Sequence, residues 1–248
     1  MITVAAPTRV WQRLRAAPDG PREVVHAGAA ALYVDLDGDV VGLLSATATR
    51  VPCGLWSRQP DLTDLARREV RVSGGRLVVG DVPVRISRLA DVRVAPLAPR
   101  SRLAPDDGGS RPLPDLDLPA DGRLSPADVA RLVGHGPGLT PLGDDVLAGW
   151  LVTRVAAGAP DPTVADAVRR LRGRTTGLSG TLLDCALRGE ALPELRTWLT
   201  ALGTPAEPMA TEALERVGAT SGTGLLTGAA LALRSLAAHH IDHPGRVA

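Results

Sequence analysis

The hydrophobic period of the chain changes at a proline-rich segment, and this change sets the fold class. Before residue 96, short runs of Val and Leu alternate with turn signals, as in AALYVDLDGDVVGLL and VRVSGGRLVVGDVPVRIS, where Asp-Gly and Gly-Gly pairs separate the runs. After residue 123, apolar residues recur with a helical period. The sequence therefore predicts an α+β protein, an N-terminal antiparallel β unit followed by an all-α C-terminal domain.

The segment between the two halves holds six prolines within residues 96–122 and no apolar periodicity. Such a composition is typical of a linker or a long surface loop. We expect a β-rich domain over 1–95, a linker or loop over 96–123 and a helical domain over 124–248.

The helical half carries clear start and stop signals. Ser125 is a natural N-cap, Pro126 suits the first helical position, and Asp128 stands where the acid of a capping box belongs. Gly and Pro residues delimit the helices that follow. We expect them at about 145–157, 162–172, 179–188, 193–202, 208–217 and 222–238.

Charge and composition exclude several classes of partner. The 28 basic residues are all Arg and face 27 acidic ones, so a net charge of +1 gives no field that attracts nucleic acid or an anionic membrane. One Tyr and no Phe leave few aromatic platforms for single-stranded nucleic acid. Cys53 and Cys185 lie far apart in apolar surroundings, and no apolar run is long enough to span a bilayer. We expect a reduced, soluble, cytoplasmic protein.

The stretch GHGPGLTPLGDD, residues 134–145, specifies a longer backbone path than a helix cap requires. Elaborate loops on helical scaffolds tend to carry sites, so we predict a functional loop here. His135 within this loop is a candidate acid or base, or a hydrogen-bond donor to a bound anion. Capping explains one of Asp144 and Asp145 but not both. The pair could hold Mg²⁺ through its waters, accept N–H groups of an amide-like substrate, or supply a general base.

Three predicted helices begin in related ways, in GLTPLGDD, TTGLSG and ATSGTG. Unpaired N–H groups and the helix dipole favour an anion at such starts, and glycine lets the backbone approach it. If the three starts converge, they form a phosphate or carboxylate pocket; the alternative is that these residues are ordinary caps. The candidate anion-binding residues are Gly136, Gly138, Leu139, Thr140, Gly143, Ser179, Thr220, Ser221 and Gly222.

The string GPGLTPLGDDVLAGWL, followed downstream by TSGTGLLTGAAL, resembles the AllH-like proteins, a family that includes a subunit of bacterial oxamate carbamoyltransferase. The matched positions are Gly138, Thr140, Gly143, Asp144 and Asp145, with a weaker match at 220–222. The sequence departs from the expected pattern at Leu142, in place of a small polar residue, and at Gly224, in place of an acid.

The resemblance implies a role in anaerobic allantoin or purine-nitrogen breakdown. There, oxalurate and phosphate become oxamate and carbamoyl phosphate on an enzyme assembled from this subunit type and two others. It thus implies small anionic substrates, partner subunits and a carbamoyltransferase activity driven by positioning and oxyanion donors.

Two other functions stay open at this stage. One is phosphoryl transfer with Mg²⁺ held on a nucleotide by Asp144 and Asp145, although the chain has no GxxxxGK[ST] motif and no lysine. The other is a non-catalytic subunit that binds a small anion. A weaker feature is the i, i+4 pair His239 and His243, which we do not expect to bind a metal. Another is a set of arginines that flank the second helix start and could bind a phosphate, with a solvated charged face as the alternative: Arg172, Arg174 and Arg188.

Overall fold

A computed structural model describes residues 1–98, 113 and 116–242, with side chains through residue 238. The chain divides into two compact units, one of Met1–Val92 with residues 180–182 and one that contains the other described residues from Arg93 onward. Strands occupy the first unit and helices dominate the second, so the predicted α+β class is confirmed. The domain limits predicted at residues 95 and 123 stay predictions.

The described part of the first unit forms a nine-stranded sheet in the order β2-β7-β8-β9-β1-β6-β5-β4-β3. Its strands are β1 (Ile2–Pro7), β2 (Gly20–Pro21), β3 (Val24–Ala27), β4 (Ala31–Leu36), β5 (Asp39–Leu44), β6 (Gly54–Ser57), β7 (Val70–Ser73), β8 (Arg76–Val79) and β9 (Val82–Ala90). Both hairpins read from the sequence are present. Asp37 and Gly38 turn with φ of 56° and 90°, and the Gly74-Gly75 pair also has positive φ.

The sheet differs from the expected antiparallel unit at two pairings. β1 runs parallel to β9, and β5 runs parallel to β6, whereas the remaining strand pairs are antiparallel. Parallel neighbours need a long connection, which turn signals between adjacent strands do not reveal. The first strand therefore lies in the middle of the sheet, between β6 and β9.

One helix in this unit, α1 (Thr8–Ala16), is absent from the sequence prediction. Its Val10 and Leu14 have i, i+4 spacing and are buried with the apolar face of the sheet. The helix is only nine residues long and has two apolar positions on its buried face. Its periodic signal in the sequence is therefore weak, and the sequence analysis does not predict it.

Seven α-helices lie in the described part of the second unit: α2 (Pro126–Leu132), α3 (Leu142–Ala156), α4 (Pro162–Leu171), α5 (Gly177–Ala186), α6 (Pro193–Ala201), α7 (Glu207–Glu215) and α8 (Ser221–Asp242). The capping box of Ser125 and Asp128 is confirmed. No helix in the described ranges has the length and apolar character needed to cross a bilayer.

Helices α3 and α8 pack with their backbones in close contact, because glycine lines both faces. A Cβ at Gly149 of α3 would lie 2.1 Å from the Leu225 carbonyl oxygen, and one at Gly228 of α8 would lie 1.9 Å from that of Val146. Any larger residue would push the helices apart. Gly149 and Gly228 thus allow the close packing, and the pair brings the start of α8 beside the start of α3.

The described ends of the proline-rich segment pack on the helical unit. Leu97 is buried, and its N–H donates to the Ala156 carbonyl at 2.8 Å. At the other end, the indole N–H of the buried Trp150 donates to the Gly122 carbonyl at 3.0 Å. Residues 99–112, 114 and 115 of the predicted linker lie outside the described ranges.

Candidate functional site

The glycine loop folds back onto the end of α2 before α3 begins. The Gly143 N–H donates to the His135 carbonyl at 2.9 Å, and a Cβ at Gly143 would lie 2.1 Å from the Leu132 carbonyl oxygen. Gly134, Gly136 and Gly138 all have positive φ, which side-chain-bearing residues rarely adopt. The loop therefore needs its glycines for a compact return path.

Asp144 is the carboxylate that holds this loop in place. One of its oxygens accepts the Gly134 N–H at 2.9 Å, and the other accepts the hydroxyls of Thr175 and Ser179, the latter at 2.7 Å. The residue is only 2% exposed. Three donors satisfy a buried charge and tie together the loop, the segment before α5 and α5 itself.

The start of α5 docks on the same loop through Thr176. Its hydroxyl oxygen accepts the Ser179 N–H at 3.0 Å as the N-cap, and its O–H donates to the Leu139 carbonyl at 2.5 Å. The cap of α5 is thus Thr176, while the hydroxyl of Ser179 bonds Asp144. The helix begins two residues earlier than the sequence predicts.

The start of α8 reaches the loop from another side. The hydroxyls of Thr140 and Ser221 lie 3.0 Å apart, within hydrogen-bond distance, and both residues are half-buried. The three similar helix starts therefore converge, as expected if they share a site. The start of α5 meets the carboxylate of Asp144, and the start of α8 meets that of Asp145.

Asp145 has the opposite environment to its neighbour. It is 6% exposed, its carboxyl group hydrogen-bonds the Ser221 hydroxyl, and its Oδ2 atom has no hydrogen-bond partner in the described structure. Burial raises the pKa of the Asp145 carboxyl to about 7; the bond with Ser221 opposes the rise and the Asp144 charge adds to it. A buried carboxyl that titrates near neutrality is suited to proton transfer.

Gly224 allows α8 to approach this carboxyl group. A Cβ at Gly224 would lie 2.8 Å from the Cβ of Asp145 and 3.0 Å from Cδ1 of Leu142. The two departures from the family pattern, Leu142 and Gly224, are therefore neighbours in space. The larger residue at 142 occupies space that a side chain at 224 would need.

Both aspartates lie in the first turn of α3, which begins at Leu142 and not at 145. Pro141 is the N-cap, and no side chain caps the helix. The interpretation of one aspartate as a cap is therefore wrong. The loop returns so closely that the Gly143 N–H donates to the His135 carbonyl, and the Asp144 carboxylate accepts hydrogen bonds from donors outside α3.

The remaining predicted residues divide between exposed positions and structural ones. His135, Gly136 and Gly138 are exposed positions of the loop, and Thr220 is exposed directly before α8. Gly222 is buried, its N–H donates to the Val217 carbonyl at 2.9 Å, and a Cβ there would lie 1.9 Å from the Leu214 carbonyl oxygen. The N–H groups of Gly143 and Gly222 thus already have acceptors within the chain.

The arginines near the start of α5 and the C-terminal histidine pair were weaker features of the sequence. Arg172 pairs with Asp184 at 2.8 Å, and Arg188 lies 3.7 Å from Glu190, whereas Arg174 is exposed. His243 and the side chain of His239 lie outside the described residues. Within the described side chains, no group of three His, Cys, Asp or Glu residues could hold a metal ion. With both oxygens of Asp144 engaged, the aspartate pair offers few free ligands to Mg²⁺.

Sequence reasoning missed two residues that build this site, Thr175 and Thr176. The threonines stand in the quoted string TTGLSG, where a consecutive Thr pair before a helix start was itself a signal. One of them caps the helix, so the other was available for a different acceptor.

Fold and site together define an α+β protein whose helical unit buries two neighbouring carboxyl groups, one with hydrogen bonds to both oxygens and one with an unpartnered oxygen. Residues 132–233 match the model of a family described as oxamate carbamoyltransferase subunit AllH. The match confirms the resemblance over this segment, which begins at the end of α2 and includes every residue of the site just described. No curated protein and no solved structure matches the chain.

Proposed function

We propose that this chain is a subunit of a carbamoyltransferase-type enzyme that handles oxalurate, oxamate, phosphate and carbamoyl phosphate in ureide or purine-nitrogen catabolism. The observation that carries the proposal is Asp145, a buried carboxyl group with one unpartnered oxygen inside the segment that matches the AllH family. The word subunit in the family description supports partner chains in the working enzyme.

The chemistry needs one proton at a nitrogen atom. In phosphorolysis, a phosphate oxygen attacks the carbamoyl carbon of oxalurate, the C–N bond breaks, and the departing oxamate nitrogen takes a proton. Protonated Asp145 supplies that proton, and the proton that phosphate loses restores the carboxyl group. In the reverse direction, the Asp145 carboxylate accepts a proton from the amide nitrogen of oxamate as it attacks carbamoyl phosphate.

The pKa of Asp145 near 7 suits both directions, since both protonation states are populated at neutral pH. The Ser221 and Thr140 hydroxyls give this carboxyl neighbours that can orient it and donate to a substrate oxygen. In this proposal Asp144 positions the loop, while Asp145 contacts the substrate; the exposed His135 of the loop is a further candidate donor.

The test is carbamoyl transfer from carbamoyl phosphate to oxamate, measured as phosphate release by the assembly purified through a tag on this chain. We expect Asp145→Asn to lower kcat by about 10² to 10⁴, the range for loss of a general acid or base. Asp166→Asn, a surface carboxylate on α4, is the matched control and should leave kcat unchanged. Equal rates for the two variants contradict the role of Asp145.

Calorimetric titration separates the other two functions. Binding of carbamoyl phosphate or oxamate by an assembly that never turns over indicates a non-catalytic anion-binding subunit. Tight binding of Mg-ATP in place of both ligands indicates phosphoryl transfer. Either outcome overturns the transferase proposal.

A further inference from the structure

The first unit contains a cavity of about 410 Å³ that the proposed carbamoyl chemistry does not use. It lies across three adjacent strands, β9, β1 and β6, and all its lining residues belong to this unit. Its volume is within the range for sites that hold a small metabolite.

The floor of the cavity is a row of three residues in register across these strands. Ala5 of β1 pairs with Trp56 of β6 on one side and with Arg88 of β9 on the other. Ala5 projects away from the core, since it alternates with the buried Val4 and Ala6. A small side chain between two large ones leaves a depression in the surface of the sheet.

A β-bulge places Arg88 in this row. Val4 pairs with Ile86, but the next residue, Ala5, pairs with Arg88, so Ser87 is an extra residue in β9. Without it, strict alternation would turn Arg88 toward the same face as Ile86, which packs against the core. Bulges are known to redirect side chains beside sites.

The cavity is lined by three arginines, Arg50, Arg58 and Arg88, and by no acidic residue. None of the three makes an ion pair within the described part of the chain. Guanidinium groups bind carboxylate or phosphate oxygens through two parallel hydrogen bonds. Three of them around one depression concentrate positive charge that a bound anion would neutralise.

Trp56 gives the cavity a rigid aromatic wall. Its indole N–H donates to the Val51 carbonyl at 3.1 Å, which fixes the ring, and the Arg50 guanidinium carbon lies 5.9 Å from the ring centroid. A planar group of a ligand can lie against this ring while its charged end meets the arginines.

We propose that this cavity, with Ala5 as its floor, Trp56 as its wall and Arg50, Arg58 and Arg88 as its charges, binds a small anion with a carboxylate or phosphate group. It is a second anion site, separate in sequence and in fold unit from the Asp145 site.

The experiment follows the indole N–H signal of Trp56 by two-dimensional NMR, assigned with Trp56→Phe, while inorganic phosphate or oxalate is added at constant ionic strength. This signal reports on the cavity, whereas Trp150 in α3 reports on the helical unit. We expect saturable shifts of Trp56, and saturation by phosphate or by oxalate identifies the preferred group. Linear shifts for both anions, or the same shifts with chloride, overturn the proposal.

Two kinds of variant test the geometry. Arg58→Ala and Arg88→Ala should each raise Kd by about tenfold, because each removes charge-assisted hydrogen bonds. The control Arg71→Ala removes an exposed charge of β7 outside the cavity and should change Kd by less than about twofold. An equal effect of all three means general attraction to a basic surface and overturns the proposal.

Ala5→Leu fills the depression without changing any charge, so it should abolish binding while all the arginines remain. Binding by this variant at the wild-type Kd also overturns the proposal. If Arg88→Ala disturbs the bulge, seen as loss of the dispersed Trp56 signal, Arg58→Ala and Ala5→Leu decide the matter, because neither residue belongs to the bulged strand β9.

Discussion

Asp144 and Asp145 are neighbours in the first turn of α3, yet one carboxylate accepts three hydrogen bonds and the other keeps an oxygen with no partner. Both are almost fully buried. The difference comes from direction: successive residues on a helix point about 100° apart, so Asp144 meets the loop and α5 while Asp145 meets α8. Two identical residues thereby have different surroundings within one helical turn.

The pH dependence of stability should reveal Asp145. Its pKa of about 7 in the folded state lies above its unfolded value near 4, so the folded state binds more protons between these limits. The stability that the protonated carboxyl gives is full below pH 4 and is lost as the pH rises through 7. Asp145→Asn should become more stable than wild type with rising pH, by up to about 4 kcal/mol at pH 8. Urea unfolding at several pH values measures this, and parallel profiles of the two proteins would contradict it.

Removal of the Asp144 charge should weaken the whole site. Asp144→Asn replaces one acceptor oxygen by an NH₂ group that faces existing donors, and we expect a loss of about 2–4 kcal/mol in the free energy of unfolding. Ser179→Ala should lose about 1 kcal/mol, as one neutral donor disappears. Asp166→Asn serves as the surface control. Urea titration at pH 7 would refute the structural role if Asp144→Asn matched this control.

Close packing of α3 and α8 should make Gly228 irreplaceable. Gly228→Ala places a Cβ against the Val146 backbone, which cannot yield as a side chain can, and should destabilise the protein by more than about 3 kcal/mol. Gly173→Ala is the matched control, because nothing lies within 4 Å of its Cβ position and its φ is not positive. It should change stability by less than about 1 kcal/mol. Comparable melting temperatures for the two variants would rule out the packing argument.

The hydroxyl pair Thr140 and Ser221 should act on Asp145 as one unit. Ser221→Ala removes a hydrogen bond that lowers the pKa of Asp145, so that pKa should rise further. Thr140→Val should have a smaller effect, which disappears in the double variant, because Thr140 acts through Ser221. Carbon-13 NMR titration of the Asp145 carboxyl group measures both. An unchanged or lower pKa in Ser221→Ala would show that the two groups do not interact.

Local chemistry determined much of this protein. The change of hydrophobic period at the proline-rich segment, the Asp37-Gly38 turn and the capping box at Ser125 depend on residues close in sequence, and the structure agrees with each. The family resemblance likewise rested on a contiguous string. The sequence also marked three helix starts as candidates for one shared site, because they carry similar residues.

Tertiary structure alone decided the features that depend on contacts between distant segments. The parallel pairing of β1 with β9 joins strands far apart in sequence, and the bulge that turns Arg88 outward exists only in that pairing. In the same way, no local rule distinguishes Asp144 from Asp145. Their different environments follow from which donors other segments bring to each carboxylate, Thr175 and Ser179 to one and Ser221 to the other, and burial in that packed environment raises the pKa of Asp145.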